Sequence, residues 1–176
     1  MIEKGRDENA GDGPIDPFVF IDDNGQIYMY FGTRVPKMVK LKPDMVTTDG
    51  PIKNVKIALG KKTYGEAPWL HKHNGVYYFS FSTGWPGQIV YAVGKSPLGP
   101  FTYGGVVFDF LKISTNHQAI LNYHGQRYLF YHDNLLPGGG NHKRSIGMEY
   151  LHHNPDGSIS QVVKTLRGVS EVASVK

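Results

Sequence analysis

No cysteine occurs among the 176 residues, so neither a disulfide nor a thiolate metal site is available, and no redox compartment is implied. Charge is sparse as well: Asp, Glu, Lys and Arg together make up 19%. Lys and Arg are scattered along the chain, without a basic stripe or a nucleic-acid motif. The formal net charge of +4 is that of a mildly basic domain, and nucleic acid is not expected as a partner. No apolar run reaches the roughly 18 residues of a membrane span. The first thirteen residues are polar and hold no apolar signal region. A membrane is therefore not expected as a partner, and secreted and cytoplasmic locations both stay open.

What is present is aromatic and turn-rich. Tyr 11 and Phe 9 supply strand formers, and Gly 22 and Pro 11 supply turns. Three segments align without gaps at a period of 50, beginning at Asp16, Glu66 and Asn116. Each runs as an apolar stretch, a turn glycine (Gly25, Gly75, Gly125) and an aromatic stretch marked by Tyr28, Tyr78 and Tyr128. The turns Asn24-Gly25 and Asn74-Gly75 are strong hairpin signals, because both turn positions favour residues that tolerate positive φ. Third strands are expected at 38–41, 88–93 and 145–151, and outer strands around 55–59, 105–108 and 159–163. Four antiparallel strands repeated every 50 residues predict an all-β chain with negligible helix, built as β-propeller blades at about 14–62, 63–112 and 113–165, with tails at 1–13 and 166–176.

The innermost strand of a propeller blade lines the central channel. Asp16, Glu66 and Asn116, with His117 beside the last, are therefore expected to converge on one shared cavity. Singly, Asp before Pro is a common turn residue and Glu before Ala-Pro is commonly solvated. Matched positions in successive repeats favour function. Two carboxyl groups facing one pocket are what glycoside hydrolysis needs, one of them holding a proton for the leaving oxygen.

At these residues the chain resembles glycoside hydrolase family 43, the five-bladed propeller β-xylosidases, α-L-arabinofuranosidases and arabinanases. The matching stretches are Asp16-Pro17-Phe18-Val19-Phe20-Ile21-Asp22-Asp23-Asn24-Gly25, Glu66-Ala67-Pro68, Ser96-Pro97-Leu98-Gly99-Pro100-Phe101, Asn116-His117 (Asn where the family has Gly), Tyr131-His132 and Asp156-Gly157-Ser158-Ile159. The resemblance implies an inverting glycosidase acting on xylose- or arabinose-containing oligosaccharides or polysaccharides. It implies Glu66 as general acid and Asp16 as the residue that tunes the acid's pKa and holds the sugar. His117 matches a histidine that supports calcium or another ion through water. Arg144 is similar in place to an arginine contacting sugar hydroxyls, and a purely structural ion pair is the alternative there.

The family's general base is an Asp on its first blade, well upstream of the Asp-Pro segment, whereas fifteen residues precede Asp16 here. Asp7 and Asp12 lie outside any blade-opening strand and are not taken for that base. Three of the family's five blades are expected, with the base absent from this chain. A non-catalytic carbohydrate-binding module derived from such a hydrolase is the alternative. Trp85 and Phe31 are candidate sugar-stacking residues, whereas Trp69, within an inner strand, reads as core. The loop 136–141 is a candidate cover for the site. A three-blade arc leaves two apolar faces open, which predicts pairing as a homodimer or with a complementing N-terminal half.

Overall fold

The computed structural model describes residues 2–170. Among them there is no helix, hence none that could cross a membrane; the chain forms twelve strands in three sheets. The first sheet has the order β1 (Phe18–Ile21), β2 (Ile27–Phe31), β3 (Lys37–Leu41), β4 (Lys53–Asn54). The second contains β6 (Glu66–His73), β7 (Val76–Ser82), β8 (Ile89–Gly94) and β9 (Phe101–Phe108), with β5 (Ile57–Ala58) added at its edge. The third is β10 (Gln118–Tyr123), β11 (Gln126–Asp133) and β12 (Ser145–Leu151).

The hairpins form where the turn residues place them, but not all by the same turn. Asn74 and Gly75 both have positive φ (48° and 78°), as do His124 and Gly125 (49° and 80°), which gives two-residue loops between His73↔Val76 and Tyr123↔Gln126. In the first hairpin only Gly25 has positive φ, at 79°. Asp22 N–H bonds Gln26 O at 3.0 Å and Gly25 N–H bonds Asp22 O at 2.8 Å, so this loop is three residues long. Asp22 is thereby turned toward the second sheet, where its carboxylate accepts from Tyr77 Oη at 2.7 Å and Lys72 Nζ at 3.1 Å.

The expected outer strands need correction. Only Lys53–Asn54 closes the first sheet, and Ile57–Ala58 instead pairs in parallel with Phe101–Thr102 of the second. The cause is burial: Val55 is 7% exposed and, with Ile57, fills the space between the two sheets, so the chain crosses from one to the other. In the third sheet the expected outer strand shrinks to two isolated bridges, Phe108↔Val162 and His153↔Ile159.

The middle sheet is apolar on both faces because it is covered on both. Along β7, Tyr77, Phe79 and Phe81 point toward the first sheet and pack with Tyr30, Met38 and Leu70, whereas Tyr78 joins Tyr91, Leu129 and Tyr131 on the third-sheet side. Buried tyrosines reach partners across the layers. Tyr30 Oη donates to Pro97 O at 2.5 Å, Tyr78 Oη donates to Gly157 O at 2.7 Å, and Tyr91 Oη accepts from Ile159 N–H at 3.0 Å. The two recognisable turn segments, 96–101 and 156–159, are thus latches between sheets. The outer face of the third sheet is left open: Ile146 and Leu166 are 83% and 92% exposed. The face of the first sheet away from the second buries Ile27, Phe31, Val39 and Leu41 under Ile2 and Ile52.

Between the second and third sheets lies a cationic cluster without a contacting acid. His71 Nε2 is 3.3 Å from His153 Nε2, the rings of His73 and His153 are 4.1 Å apart, and Arg127 Nη1 is 3.0 Å from His73 Nδ1. Tyr78 stacks on His71 at 5.0 Å, and the nearest carboxylate acting on that tyrosine is Asp156. Burial, then the His73 and Arg127 charges, holds His153 down to about 4. Burial first, then the His153 and Arg127 charges, holds His71 well below the usual range. These imidazoles are neutral in the fold and take up protons once unfolded, so stability is full above about pH 6.5 and falls as pH drops from there through about 4. Urea midpoints measured across that interval are expected to decline, and His153→Gln is expected to flatten the decline; an unchanged slope in that variant overturns this account. On the other face of β7, toward the first sheet, Phe79 is fully buried, and Phe79→Ala is expected to cost about 3–5 kcal/mol by chemical denaturation.

Candidate active site

Glu66 opens β6, and the strand is irregular just after it. Glu66 pairs with Ser82 and Trp69 with Ser80, so three steps on one strand oppose two on the other. This bulge puts Ala67, fully buried, at φ 61°, a region costly for a residue with a Cβ. The peptide is held there from both sides. Ala67 N–H donates to Asp16 Oδ2 at 3.2 Å, and Ala67 O accepts from Gln118 Nε2 at 2.8 Å. Both partners lie 51 residues away, one in each flanking repeat. Trp69 Nε1 adds a bond of the same spacing to Ile120 O at 3.1 Å, and its ring lies 4.0 Å from that of Phe18, so it is an inter-sheet residue.

The Glu66 carboxylate accepts a short hydrogen bond at Oε1 from Thr115 Oγ1. The Thr115 carbonyl in turn accepts from His132 Nε2 at 3.0 Å. Burial first, then the Arg144 and His117 charges, keeps His132 below its ordinary pKa, so it is the neutral ring that donates. Tyr64 donates its hydroxyl to Gly32 O at 2.7 Å. Burial, followed by the Asp16 and Glu66 carboxylates, pushes its pKa far up, which places both acids within reach of one phenol. Gly65, just before the acid, admits no side chain: a Cβ there falls 2.5 Å from Gly84 N.

Glu66 lines a cavity of about 540 Å³ together with Trp85, Arg34, Asp12 and Lys37. Asp16 and His117 do not line it, which corrects the expectation of one shared cavity; the Asp16 carboxylate is turned instead to the Ala67 amide. Trp85 is 53% exposed beside Glu66. Phe31 is corrected: its ring is 2% exposed within the core under Ile2 and Ile52 and has no face for a sugar. Arg144 is exposed, with Nε bonded to Asn141 O at 2.7 Å, and it joins His117 and His132 by charge rather than contact. Asp12 is paired with Lys4 at 3.0 Å and Asp7 with Arg6 at 3.2 Å; neither lies in a strand.

At the third repeat position Asn116 is fully buried, and both polar atoms of its side chain lack a protein partner, as do Ser82 Oγ and Gln118 Oε1. No group of three or more His, Asp or Glu among the described residues is placed to hold a metal, so the donors around His117 do not form a direct cation cage. Thr115 escaped the sequence reading, and His132 entered it only within the Tyr131-His132 segment, without a role. Thr115 occupies the repeat position of Ile15 and Gly65, where nothing in the pattern demands a hydroxyl.

Comparison with known proteins agrees with this geometry. The model of the glycosyl hydrolases family 43 matches residues 3–159. A β-xylosidase of Xylanibacter ruminicola is 33% identical, covering 89% of this chain and 60% of the relative. Among solved structures, a β-xylosidase/α-arabinofuranosidase from a compost microbial metagenome, in complex with xylotriose and calcium-free, superposes with a TM-score of 0.81 at 36% identity, over 85% of this chain and 58% of the other. An arabinoxylan arabinofuranohydrolase from Bacillus subtilis, in complex with cellotetraose, gives a TM-score of 0.81 at 31% identity over 91% and 39%. The chain thus spans about 60% of the length of the β-xylosidase it matches. With the family model covering nearly all of the described residues, and the Asp-Pro, Glu-Ala-Pro and Ser-Pro-Leu-Gly-Pro-Phe segments all built into the strands and latches above, the chain belongs to the glycosyl hydrolases family 43.

Proposed function

We propose that this chain carries the acid side of a glycoside hydrolase site for xylose- or arabinose-containing glycans, with Glu66 as the general acid. The three sheets serve as three blades of a propeller, and the activating base comes from outside these residues. The observation that carries the reading is the Glu66 carboxyl group, fixed at Oε1 by Thr115 and set beside exposed Trp85 in a 540 Å³ cavity.

The chemistry follows from that fixation. A carboxyl group that accepts a hydrogen bond at one oxygen carries its proton on the other, and Oε2 is the atom that protonates the leaving glycosidic oxygen. Inversion then needs a second carboxylate on the far side of the sugar to activate water. Asp16 is not that base, since its carboxylate is turned to the Ala67 amide and does not line the Glu66 cavity. It acts as a positioning residue, holding the strained peptide that aims Glu66. Hydrolysis by two carboxyl groups requires no cation. Trp85 offers a stacking face for the sugar, and Arg144 with His117 lies on the Thr115–His132 side. Homodimerisation, or pairing with a complementing half, in which the open outer face of the third sheet takes part, supplies the remaining wall and the base. The similarity to a β-xylosidase and to an arabinoxylan arabinofuranohydrolase supports the sugar class.

In the active assembly, Glu66→Gln is expected to lower hydrolysis of natural and alkyl glycosides by about 10²–10⁴-fold, with the smallest loss on aryl glycosides whose leaving groups depart without a proton. An equal loss across that leaving-group series removes the acid assignment. Binding of xylo-oligosaccharide without turnover, in an assembly that includes a base, favours the non-catalytic module instead. Asp16→Asn is expected to reduce kcat with little change in the KM for neutral substrate, because the effect passes through the Ala67 peptide to Glu66.

A further inference from the structure

A second cavity, of about 670 Å³, adjoins the one at Glu66, and the two share Arg34 and Trp85 in their walls. Its lining includes three cations, Arg34, Lys61 and Lys62, and no carboxylate. Two large aromatics stand exposed on it, Trp85 at 53% and Phe110 at 52%. Neutral sugars give no reason for such a concentration of positive charge in a chain otherwise sparing with it.

The cations are held differently. Lys62 Nζ donates to Gln88 Oε1 at 2.7 Å, and Gln88 Nε2 passes the contact on to Asp109 Oδ1 at 2.9 Å, so that lysine is anchored. Lys61 has no hydrogen bond or ion pair among the described residues, and neither does the Arg34 guanidinium. Arg34 acts on Asp12 only at longer range, and Asp12 is already paired with Lys4 at 3.0 Å. The Arg34 backbone sits at φ 63°, an uncommon and costly region for a long side chain. Its N–H is tied to Gly65 O at 2.6 Å, and Thr33 Oγ1 donates to the same carbonyl at 3.0 Å. The residue before Glu66 therefore fixes the arginine at the boundary of the two cavities.

We infer that this second cavity is a subsite for an acidic sugar: a uronic-acid residue on the glycan chain, its carboxylate read by Arg34 with Lys61 and Lys62, its ring stacked against Trp85 or Phe110. The inference rests on the glycosidase reading of the Glu66 cavity. A guanidinium suits the task because its planar donors match the two oxygens of a carboxylate, and aromatic faces suit the ring.

The test is calorimetric binding of three ligands to the active assembly: a xylo-oligosaccharide bearing one glucuronic acid, the same oligosaccharide undecorated, and the carboxyl-reduced form of the first. The acidic ligand is expected to bind about tenfold more tightly than the other two, with the advantage shrinking as salt is raised. Arg34→Gly is expected to abolish that advantage, so that acidic and neutral ligands bind the variant equally, and Arg34→Lys to restore it only in part. Glycine is the clean replacement because it adopts positive φ without strain, so the variant is expected to melt no lower than the parent. Equal binding of acidic and neutral ligands overturns the subsite and leaves the glycosidase reading standing. Binding of none of the three overturns both. An acidic advantage that survives in Arg34→Gly, or that free glucuronate and an unrelated polyanion reproduce, marks a general anion surface and also overturns the proposal.

Discussion

The peptide unit of Ala67 is where the three sheets are held together. Its N–H goes to Asp16 in front of the first sheet and its carbonyl receives Gln118 from the third. Each partner is buried or partly buried, and each bond satisfies a backbone group that the bulge removes from the β6–β7 ladder. The left-handed conformation of Ala67 costs about 1–3 kcal/mol, and those two bonds, with the Trp69 bond to Ile120 beside them, are what maintain it. Because Glu66 is the next residue upstream, the strain at Ala67 sets the direction in which the acid points. Loss of either tether frees the bulge, and with it the acid.

Around that point the layers are arranged by a simple asymmetry. The middle sheet is covered on both faces, so every residue of β7 from Tyr77 to Ser82 is buried, whichever way it points. The first sheet is covered on its far face too, by flanking segments, whereas the third is covered on one face only. In the first, Ile2 and Ile52 shield the far side. In the third, Leu135, Leu136, Ile146 and Leu166 stay exposed. A contiguous apolar face of this kind is where soluble proteins meet a partner, in keeping with a chain that spans about 60% of its β-xylosidase relative.

Charge is distributed with the same economy. The His71–His153–Arg127 cluster sits between two sheets, and burial, followed by the neighbouring cations, keeps its imidazoles neutral. The carboxylates of Glu66 and Asp16 are each occupied at one oxygen by a neutral donor, Thr115 for Glu66 and the Ala67 amide for Asp16. Of two cations without an ion pair among the described residues, Arg34 stands in the wall shared by the Glu66 cavity and its neighbour, and Lys61 lines the neighbour. A neutral donor at one oxygen leaves the second free to work; an ion pair at the same place would hold the carboxylate ionised.

The 50-residue spacing of Gly25, Gly75 and Gly125 and the alternation of Tyr and Phe determined the inner and third strands of each repeat, because turn conformation and two-residue periodicity are local properties. The same spacing put Asp16 and Glu66 at matching positions, and the Asp16 carboxylate accepts from the amide of Ala67, the residue after Glu66, although the two acids do not line one cavity. Other features depended on what crosses between sheets. Nothing local marks Ile57–Ala58 as leaving the first sheet, since it leaves to bury Val55 in an interface the sequence does not display. Nothing local separates Phe31 from Trp85 either: both are aromatics near a repeat boundary, and only the cover supplied by Ile2 and Ile52 makes one of them core. Thr115 became the partner of Glu66, and Arg34 the shared wall of two cavities, only through residues about 50 and 31 positions apart in sequence. Such contacts are decided by how the sheets stack, because side chains from different repeats meet only after each repeat has folded and packed.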